Sequence, residues 1–244
     1  MYWLCNPHDV YGFKNHLNGG MAEYVILPKG SINYRVPDKL TSEQAVLIEP
    51  FACSLHGVRQ SKAGVDDVVV LARAGTLGLG MISWLKLRNP KKLIVLDMID
   101  KRLELAKLFG ADVVLNPSRG NVAEAINTIT SGVGCDIYIE ATGHPSAVQQ
   151  GLALLRKAGT FVEFSVMSGT STVDWSIIRD AKEINIYGSQ LSLYCYETTI
   201  EDITGNRIKT DGVVTHTFDL DHWEDAFAIA QTKEALKVAL LMEV

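Results

Sequence analysis

Apolar residues in the middle of the chain alternate between short continuous runs and longer, partly polar stretches. From Asp67 onward, the runs DVVVLA, KKLIVLD, ADVVLN, CDIYIEAT and TFVEFSV predict strands. The stretches between them, TLGLGMISWLKLR, IDKRLELAKLFG, NVAEAINTIT and SAVQQGLALLRKAG, predict helices. Strands that are apolar throughout are typical of a parallel sheet covered on both faces. Right-handed crossovers between such strands predict a doubly wound, Rossmann-type α/β fold.

The two ends of the chain have a more mixed pattern. GGMAEYVILP predicts a turn and then a short strand, Tyr24 to Leu27. Thr41 or Ser42 can cap a short helix whose boundary is marked by Pro50, and FACSLHGVRQS predicts an amphipathic helix after it. Near the other end, LDHWEDAFAIAQT predicts a helix and ALKVALLM predicts a closing strand.

The stretch VVVLARAGTLGLGM joins a predicted strand to a predicted helix through a glycine-rich turn. The dinucleotide-binding fingerprint G-x-G-x-x-G uses its glycines for a tight turn, for close approach to a pyrophosphate and for helix–strand packing. In register with the strand, its three positions are Arg73, Gly75 and Gly78, so the first glycine is replaced. A non-glycine residue at positive φ costs roughly 1–2 kcal/mol, although a guanidinium beside a diphosphate is favourable. We therefore expect nucleotide binding that is weakened but not abolished.

Asp97 ends the next predicted strand, nineteen residues after Gly78. A carboxylate at this place can accept hydrogen bonds from the ribose hydroxyls of adenosine and would repel the extra phosphate of NADP. The alternative is a solvated acid at a strand end. Together with the glycine turn and its flanking strand and helix, Asp97 predicts NAD as the nucleotide.

Composition narrows the class of partner. The chain has 244 residues, 47% of them hydrophobic, and a formal net charge of -5. Because it has no block of Lys or Arg and no apolar run of the ~18 residues that a span needs, we expect neither nucleic acid nor a membrane as partner. The polar start is unlike a signal peptide, and the four cysteines include no C-x-x-C pair. These features favour reduced thiols in a cytoplasmic protein.

Several motifs together resemble the zinc-dependent medium-chain dehydrogenase/reductase family. They are GGMAEYV, IEPFACSLHGV, AGTLGLGMI, DKRLELAKLFGAD, DIYIEATGH and LKVALL. CNPHDVYGFK, EATGHPSAV and TVDWSIIRDAKE are similar to its polyol branch, above all to erythritol/L-threitol dehydrogenases. The resemblance implies the remnant of a GroES-like catalytic domain over 1–54, an NAD-binding Rossmann domain over 55–190, and a segment, 191–244, that returns to the catalytic domain. It also implies a homodimer or homotetramer.

The resemblance implies a reaction, the NAD-dependent oxidation of a secondary alcohol of a polyol to a ketone. In the family a catalytic zinc lowers the pKa of the alcohol so that hydride can pass to nicotinamide. The family's N-terminal segment, which carries most zinc ligands, is absent from this sequence. Only Glu49 matches the catalytic zinc position, and only Cys5 matches the structural zinc lobe, whereas a zinc site needs three or four ligands.

Three functional hypotheses therefore stay open for the chain as written. The first is a polyol dehydrogenase of which this chain is the larger part. The second is a catalytically inactive remnant that binds a nucleotide or is purely structural. The third, a zinc-independent relative similar to quinone reductases, is disfavoured by Glu49 and by the polyol-branch motifs.

The resemblance and the strand ends also give a set of nucleotide contacts. Arg102 is placed beside the adenosine ribose, with a helix-surface charge as the equal alternative. Thr142 and Gly143 follow a strand at the carboxyl edge, where ligands bind, and the resemblance places Ser165 and Val166 by the nicotinamide ring. The full set is Arg73, Gly75, Thr76, Leu77, Gly78, Asp97, Arg102, Thr142, Gly143, Ser165 and Val166. The loop with His8, Tyr11, Phe13 and His16 is placed near the substrate pocket.

Overall fold

A computed structural model describes residues 4–6, 9–13, 16–192, 194–232 and 234–242. Its strands are β1 (Val68–Ala72), β2 (Lys92–Leu96), β3 (Val113–Leu115), β4 (Cys135–Glu140), β5 (Leu155–Glu163), β6 (Asn185–Gly188), β7 (Val214–Asp219) and β8 (Lys237–Leu241). The first six form a parallel sheet with the order β3-β2-β1-β4-β5-β6, and β7 pairs with β8 in a second, two-stranded parallel sheet. The doubly wound parallel fold is confirmed.

The helices connect and cover these strands. They are α1 (Ser42–Ala45), α2 (Ile48–Ser61), α3 (Thr76–Arg88), α4 (Asp100–Phe109), α5 (Val122–Ile129), α6 (Pro145–Leu154), α7 (Tyr196–Thr204) and α8 (Trp223–Ala230). Short π-helical and 3₁₀ turns occupy Ile177–Ala181 and Leu220–His222. Thr41 caps α1 in a capping box with Gln44, as the sequence predicts.

The core lies on both faces of the six-stranded sheet. On one face, α2 and α3 pack against a buried cluster that includes Leu71, Ile139 and Val162. On the other face, α5 and α6 cover a second cluster, in which Tyr138 of β4 and Phe161 of β5 stack with ring centroids 5.8 Å apart. Successive residues of a strand point to opposite faces, so β1 to β5 each contribute to both clusters, whereas the residues of β6 belong to neither. Among the described residues, no helix is both long and apolar enough to cross a bilayer.

Two predicted elements of the N-terminal part are wrong. The stretch from Tyr24 to Leu27 is not a strand: the side chains of Tyr24 and Ile26 are 91% and 85% exposed, and neither sheet includes them. A strand needs a neighbour to take its backbone hydrogen bonds, and no described strand lies beside this one. Pro50 does not mark a helix boundary, because α2 begins at Ile48 and Pro50 lies in its first turn, where a missing N–H is tolerated.

The predicted helix SAVQQGLALLRKAG is also too long. α6 ends at Leu154, and β5 begins at the next residue. The Lys182 ammonium donates to the carbonyl oxygens of Leu152, Ala153 and Leu155 over 2.8, 2.7 and 2.6 Å. These carbonyls lie at the end of the helix and need partners from outside it. Lys182, which is distant in the sequence, provides this hydrogen-bond partner, so the local sequence pattern cannot indicate where the helix ends.

Candidate nucleotide site at the carboxyl edge of the sheet

The carboxyl edge of the six-stranded sheet brings together most of the predicted nucleotide contacts. Because β1 has β2 on one side and β4 on the other, the chain order reverses between β1 and β4. In doubly wound sheets this switch point opens the crevice that binds ligands. Arg73 follows β1, Asp97 follows β2, Thr142 follows β4 and Ser165 follows β5, so all four lie at this edge.

The glycine turn after β1 has the geometry that its sequence predicts at two of its three positions. Gly75 is the N-cap of α3, with φ -75° and ψ -172°, and Thr76 begins the helix. A Cβ added to Gly78 would lie only 2.1 Å from the Arg73 carbonyl oxygen. The third glycine therefore allows close packing of the helix against the turn, since any side chain would collide with rigid backbone.

Arg73 occupies the position of the missing first glycine and has a φ of 102°. Its guanidinium Nη1 donates to the Thr142 carbonyl oxygen over 3.1 Å, which bridges the ends of β1 and β4. A Cβ at Gly75 would lie 3.4 Å from the Arg73 Nε, so the arginine side chain lies over that glycine. Arg73 thus crosses the switch point at the place where backbone and pyrophosphate approach in a dinucleotide site.

Asp97 is buried, with 8% of its surface exposed, and is not the solvated acid of the alternative interpretation. Its Oδ2 accepts from the Ala74 N–H over 2.8 Å, and its Oδ1 accepts from the Ile99 N–H over 2.9 Å. An ionised carboxylate has about four acceptor sites. Asp97 therefore holds the glycine turn in place and keeps capacity for further donors.

Arg102 and Thr76 both contact the segment just before β8. Arg102 Nη2 donates to the Ala235 carbonyl oxygen over 3.4 Å, and Thr76 Oγ1 donates to the Leu236 carbonyl oxygen over 2.9 Å. Leu77, the next residue of α3, is 37% exposed. The C-terminal part of the chain therefore lies against the glycine turn, a neighbour that no motif in the sequence indicates.

The turns after β4 and β5 are held by a glutamate that the sequence analysis missed. Glu140, the last residue of β4, is fully buried; its carboxylate accepts from the Thr142 N–H over 2.7 Å and from the Gly143 N–H over 3.1 Å. The Thr142 hydroxyl donates to the same oxygen. Gly143 has a φ of 73°, and a Cβ there would lie 2.5 Å from the Val166 carbonyl oxygen. The only signal for Glu140 in the sequence is a charged residue that directly follows the apolar run Ile137–Ile139.

The residues that the resemblance assigns to zinc lie elsewhere. Exposed Glu49 and Cys5 both line a cavity of about 1000 Å³, together with Tyr11 and Tyr34. The Cys53 thiol donates to Glu49 Oε1 over 3.1 Å, and burial, followed by the charge of Glu49, raises the pKa of that thiol. Within the described ranges, no group of three or more His, Cys, Asp or Glu side chains could hold a metal ion. The residues present here do not fit a zinc site.

The loop predicted near the substrate pocket is only partly at this cavity. Tyr11 lines the cavity, and its hydroxyl donates to Asn33 Oδ1 over 3.4 Å. Phe13 is 67% exposed, and His16 lies 3.3 Å from the carboxylate of Asp9. His8 lies outside the described residues.

The parallel sheet, its switch point and the glycine turn define a doubly wound α/β protein of the Rossmann type. A family profile described as "Zinc-binding dehydrogenase" matches residues 76–205. The chain is 41% identical over 241 residues to the erythritol/L-threitol dehydrogenase of Mycolicibacterium smegmatis, covering 98% of this chain and 67% of that protein. The chain therefore belongs to the zinc-binding dehydrogenase family, and the resemblance to its polyol branch is confirmed.

Two further relatives agree with this assignment. D-arabinitol dehydrogenase 1 of Uromyces fabae is 29% identical, over 97% of this chain and 68% of that protein. The alcohol dehydrogenase RspB of Escherichia coli CFT073, solved with NADH, superimposes with a TM-score of 0.83 at 31% identity, over 91% of this chain and 66% of that chain. The chain spans about two thirds of the length of these relatives.

Proposed function

We propose that the crevice at the switch point binds NAD, and that the chain serves the oxidation of a secondary alcohol of a small polyol, of the erythritol or L-threitol type, to a ketone. The observation that carries this proposal is the pairing of Asp97 with the glycine turn. The buried carboxylate accepts from the Ala74 N–H, which sets the acid and the N-terminus of α3 side by side. A ribose and its diphosphate need this combination of an acceptor and backbone donors.

Different residues of the chain would contact different parts of the nucleotide. Bound NAD supplies the hydride acceptor. Asp97 would accept hydrogen bonds from the adenosine ribose, and the first N–H groups of α3 would face the diphosphate. The turns at Thr142–Gly143 and Ser165–Val166 would meet the nicotinamide end. Arg73 would have to release the Thr142 carbonyl and swing outward, after which its charge would favour the diphosphate.

The substrate end of the proposal rests on the cavity beside Glu49 and on the polyol dehydrogenases that the chain resembles. Its lining includes hydroxyl and carboxylate groups of Tyr11, Ser192 and Glu49, which suit a polyhydroxylated ligand. Because the described residues do not fit a zinc site, we derive no step through a metal.

A second candidate function is nucleotide binding without catalysis. Two observations favour it: Arg73 lies across the crevice, and the described residues contain no metal-binding group. Polyol oxidation separates the two candidates. NADH binding without oxidation of erythritol or L-threitol in the presence of NAD and zinc would favour the second.

The first test is a titration of the purified chain with NADH, followed by energy transfer from tryptophan to the bound nicotinamide. Trp84 is a suitable donor because it lies in α3, the helix that begins at the glycine turn. We expect saturable binding that the variant Asp97→Asn weakens by roughly tenfold or more, since hydrogen bonds to a charged group contribute about 1.5–3 kcal/mol. The matched control is Asp66→Asn, an exposed acid away from the crevice. No binding by a folded chain, or equal binding by both variants, would overturn the proposal.

The domain boundaries at 54 and 190, the homodimer or homotetramer and the cytoplasmic location belong to the same proposal. They rest on the resemblance to the family and stay predictions. Size-exclusion chromatography with light scattering would measure the assembly, and limited proteolysis would locate the boundaries.

A further inference from the structure

Two glutamates face each other at the carboxyl edge of the sheet. Glu140 ends β4 and Glu163 ends β5, and the strand register pairs them directly. They lie on the same face as Tyr138 and Phe161, which pair two residues earlier in each strand. Like charges directly opposite each other on neighbouring strands destabilise a sheet. One member of this pair therefore has a reason to be neutral.

Glu140 has the surroundings of the ionised member. It accepts from the Thr142 N–H, the Thr142 hydroxyl and the Gly143 N–H, so donors surround its carboxylate. It also lies just before α6, which His144 caps, and a helix N-terminus favours negative charge. Hydrogen bonds to the charged form stabilise a carboxylate even when it is fully buried.

Glu163 has the surroundings of the neutral member. Its Oε1 is buried and has no hydrogen-bond partner within the part of the chain that the structure describes. Burial first, and then the charge of Glu140, raise the pKa of Glu163 to about 7, while the Ser165 N–H opposes the shift. The strand register places the Glu163 carboxyl opposite Glu140, so a proton on it has an acceptor at hand.

The nearest positive charge is Arg73, which follows β1 and donates to the Thr142 carbonyl oxygen beside Glu140, where it favours the ionised form of that glutamate. Besides Glu140, β4 carries Tyr138 on the same face, and its other titratable groups, Cys135 and Asp136, lie at the far end of the strand. β6 carries only Tyr187, and α6 carries no ionisable side chain. The titratable groups of α2 lie across the sheet, on the face that holds Val162; they are Glu49, Cys53, His56 and Arg59.

The pair supports both turns at the nicotinamide end of the proposed site. Glu140 accepts from the backbone N–H of Thr142, and the Ser165 N–H occupies the matching position beside the Glu163 carboxyl. The two turns also touch, because the Gly143 Cα lies against the Val166 carbonyl oxygen so closely that no Cβ fits. A change in the distance between the two carboxyls would therefore move both turns.

We propose that Glu163 carries a proton below neutral pH and donates it in a hydrogen bond to ionised Glu140, so that the pair acts as a pH-sensitive lock on the turns Thr142–Gly143 and Ser165–Val166. When the proton leaves, two carboxylates face each other and the turns loosen. Glu163 is a positioning residue in this arrangement, because it acts on the site through Glu140 and the two turns. The inference concerns the fold itself and holds whether or not the crevice binds NAD.

The direct experiment is a pH titration of the glutamate side chains of the intact chain by carbon-13 NMR. We expect one carboxyl to titrate near neutrality, and its signal to be missing from Glu163→Gln. In Glu140→Gln the pKa of Glu163 should move down toward its ordinary value of 4.5, because the neighbouring charge is gone. If no glutamate carboxyl titrates above about pH 6, well beyond that range, the inference is wrong.

Thermal unfolding gives a second readout that does not depend on the assignment of signals. Between its ordinary pKa of 4.5 and about 7, the folded chain holds a proton on Glu163 that the unfolded chain has lost. Stability therefore falls as pH rises through this window and levels off above it. Glu163→Gln keeps a donor for Glu140 but cannot ionise, so its Tm relative to wild type should rise by about 3 °C between about pH 5 and about pH 8.

The control for this profile is Glu104→Gln, an exposed acid of α4, whose Tm difference from wild type should not change with pH. A flat difference for Glu163→Gln as well would overturn the inference. NADH affinity separates it from the proposed function. If Glu163 titrates near neutrality in a chain that binds no NADH, the inference about the glutamate pair holds and the proposed NAD binding fails. If the chain binds NADH but no glutamate titrates near neutrality, the proposed NAD binding holds and the inference about the glutamate pair fails.

Discussion

The carboxyl edge of the six-stranded sheet and the cavity beside Glu49 differ in how their acids are held. At the sheet edge, Asp97 and Glu140 are buried, and each accepts at least two backbone N–H hydrogen bonds from the turns beside it. At the cavity, Glu49 is exposed, and the side chain that contacts it is a thiol, Cys53. Exposed apolar residues, with Tyr24 at 91% and Ile26 at 85%, lie in the same N-terminal part of the chain.

The difference reflects how each region is assembled. At the sheet edge, a carboxylate at a strand end accepts from N–H groups of the turn that follows, as Asp97 does from Ile99 and Glu140 does from Thr142. The cavity instead collects residues from 5–36, 45–49 and 191–200, and no described group among them could hold a metal ion. The sheet edge also joins several segments, but the parallel sheet fixes them relative to one another, whereas none of the described residues that line the cavity lies in a strand. The predictions below test whether the two regions are independent.

The largest effect is expected from Gly78→Ala at the sheet edge. The new Cβ would lie 2.1 Å from the Arg73 carbonyl oxygen, a contact that forces the turn and α3 apart. Overpacking of this kind costs about 1–3 kcal/mol, more than alanine returns in helix propensity. We expect a lower free energy of unfolding in urea and loss of measurable NADH binding.

Gly120→Ala is the matched control, because nothing lies within 4 Å of its added Cβ and its φ is not positive. Its stability and NADH affinity should stay those of the wild type. If Gly78→Ala behaves like this control, the turn is not close-packed, and the contrast between a rigid edge and an open cavity fails.

A smaller effect of opposite sign is expected from Arg73→Gly. Glycine accepts a φ of 102° without strain, which stabilises the chain by up to roughly 1–2 kcal/mol. The change also removes the side chain that lies over Gly75 and bonds to the Thr142 carbonyl. We expect NADH affinity to rise by about tenfold, equivalent to 1.4 kcal/mol, in the same fluorescence titration.

Asn89→Gly is the control that separates the two effects of Arg73→Gly, which are the relief of backbone strain and the removal of a side chain from the crevice. Asn89 has a φ of 53° at the far end of α3, so glycine relieves backbone conformation there without touching the crevice. It should change stability and leave NADH affinity unaltered. Weaker NADH binding by Arg73→Gly would mean that the guanidinium holds the diphosphate and is not an obstacle.

Five strands of the sheet, β1 to β5, could be predicted from the sequence because they carry apolar runs, and the glycine turn because it is local; the mostly exposed β6 was not predicted. The place of Asp97 follows from spacing alone, and the structure puts it against the turn. The Tyr24–Leu27 strand was predicted wrongly, since a local apolar run cannot show whether a partner strand exists. The end of α6 and the Glu140–Glu163 pair depend on Lys182 and on strand register, which join residues far apart in the chain.

The smallest effect is expected from Glu49→Gln, which tests the independence of the cavity from the sheet edge. The Cys53 thiol can donate to an amide oxygen as it does to the carboxylate, so the free energy of unfolding should change by no more than about 0.5 kcal/mol. NADH affinity should match that of Glu43→Gln, a control at an exposed acid of α1. A fall comparable to that of Asp97→Asn would show that the two regions are coupled through α2, which packs against α3. Glu49 would then act on the nucleotide through the helix pair, with no need for a metal between them.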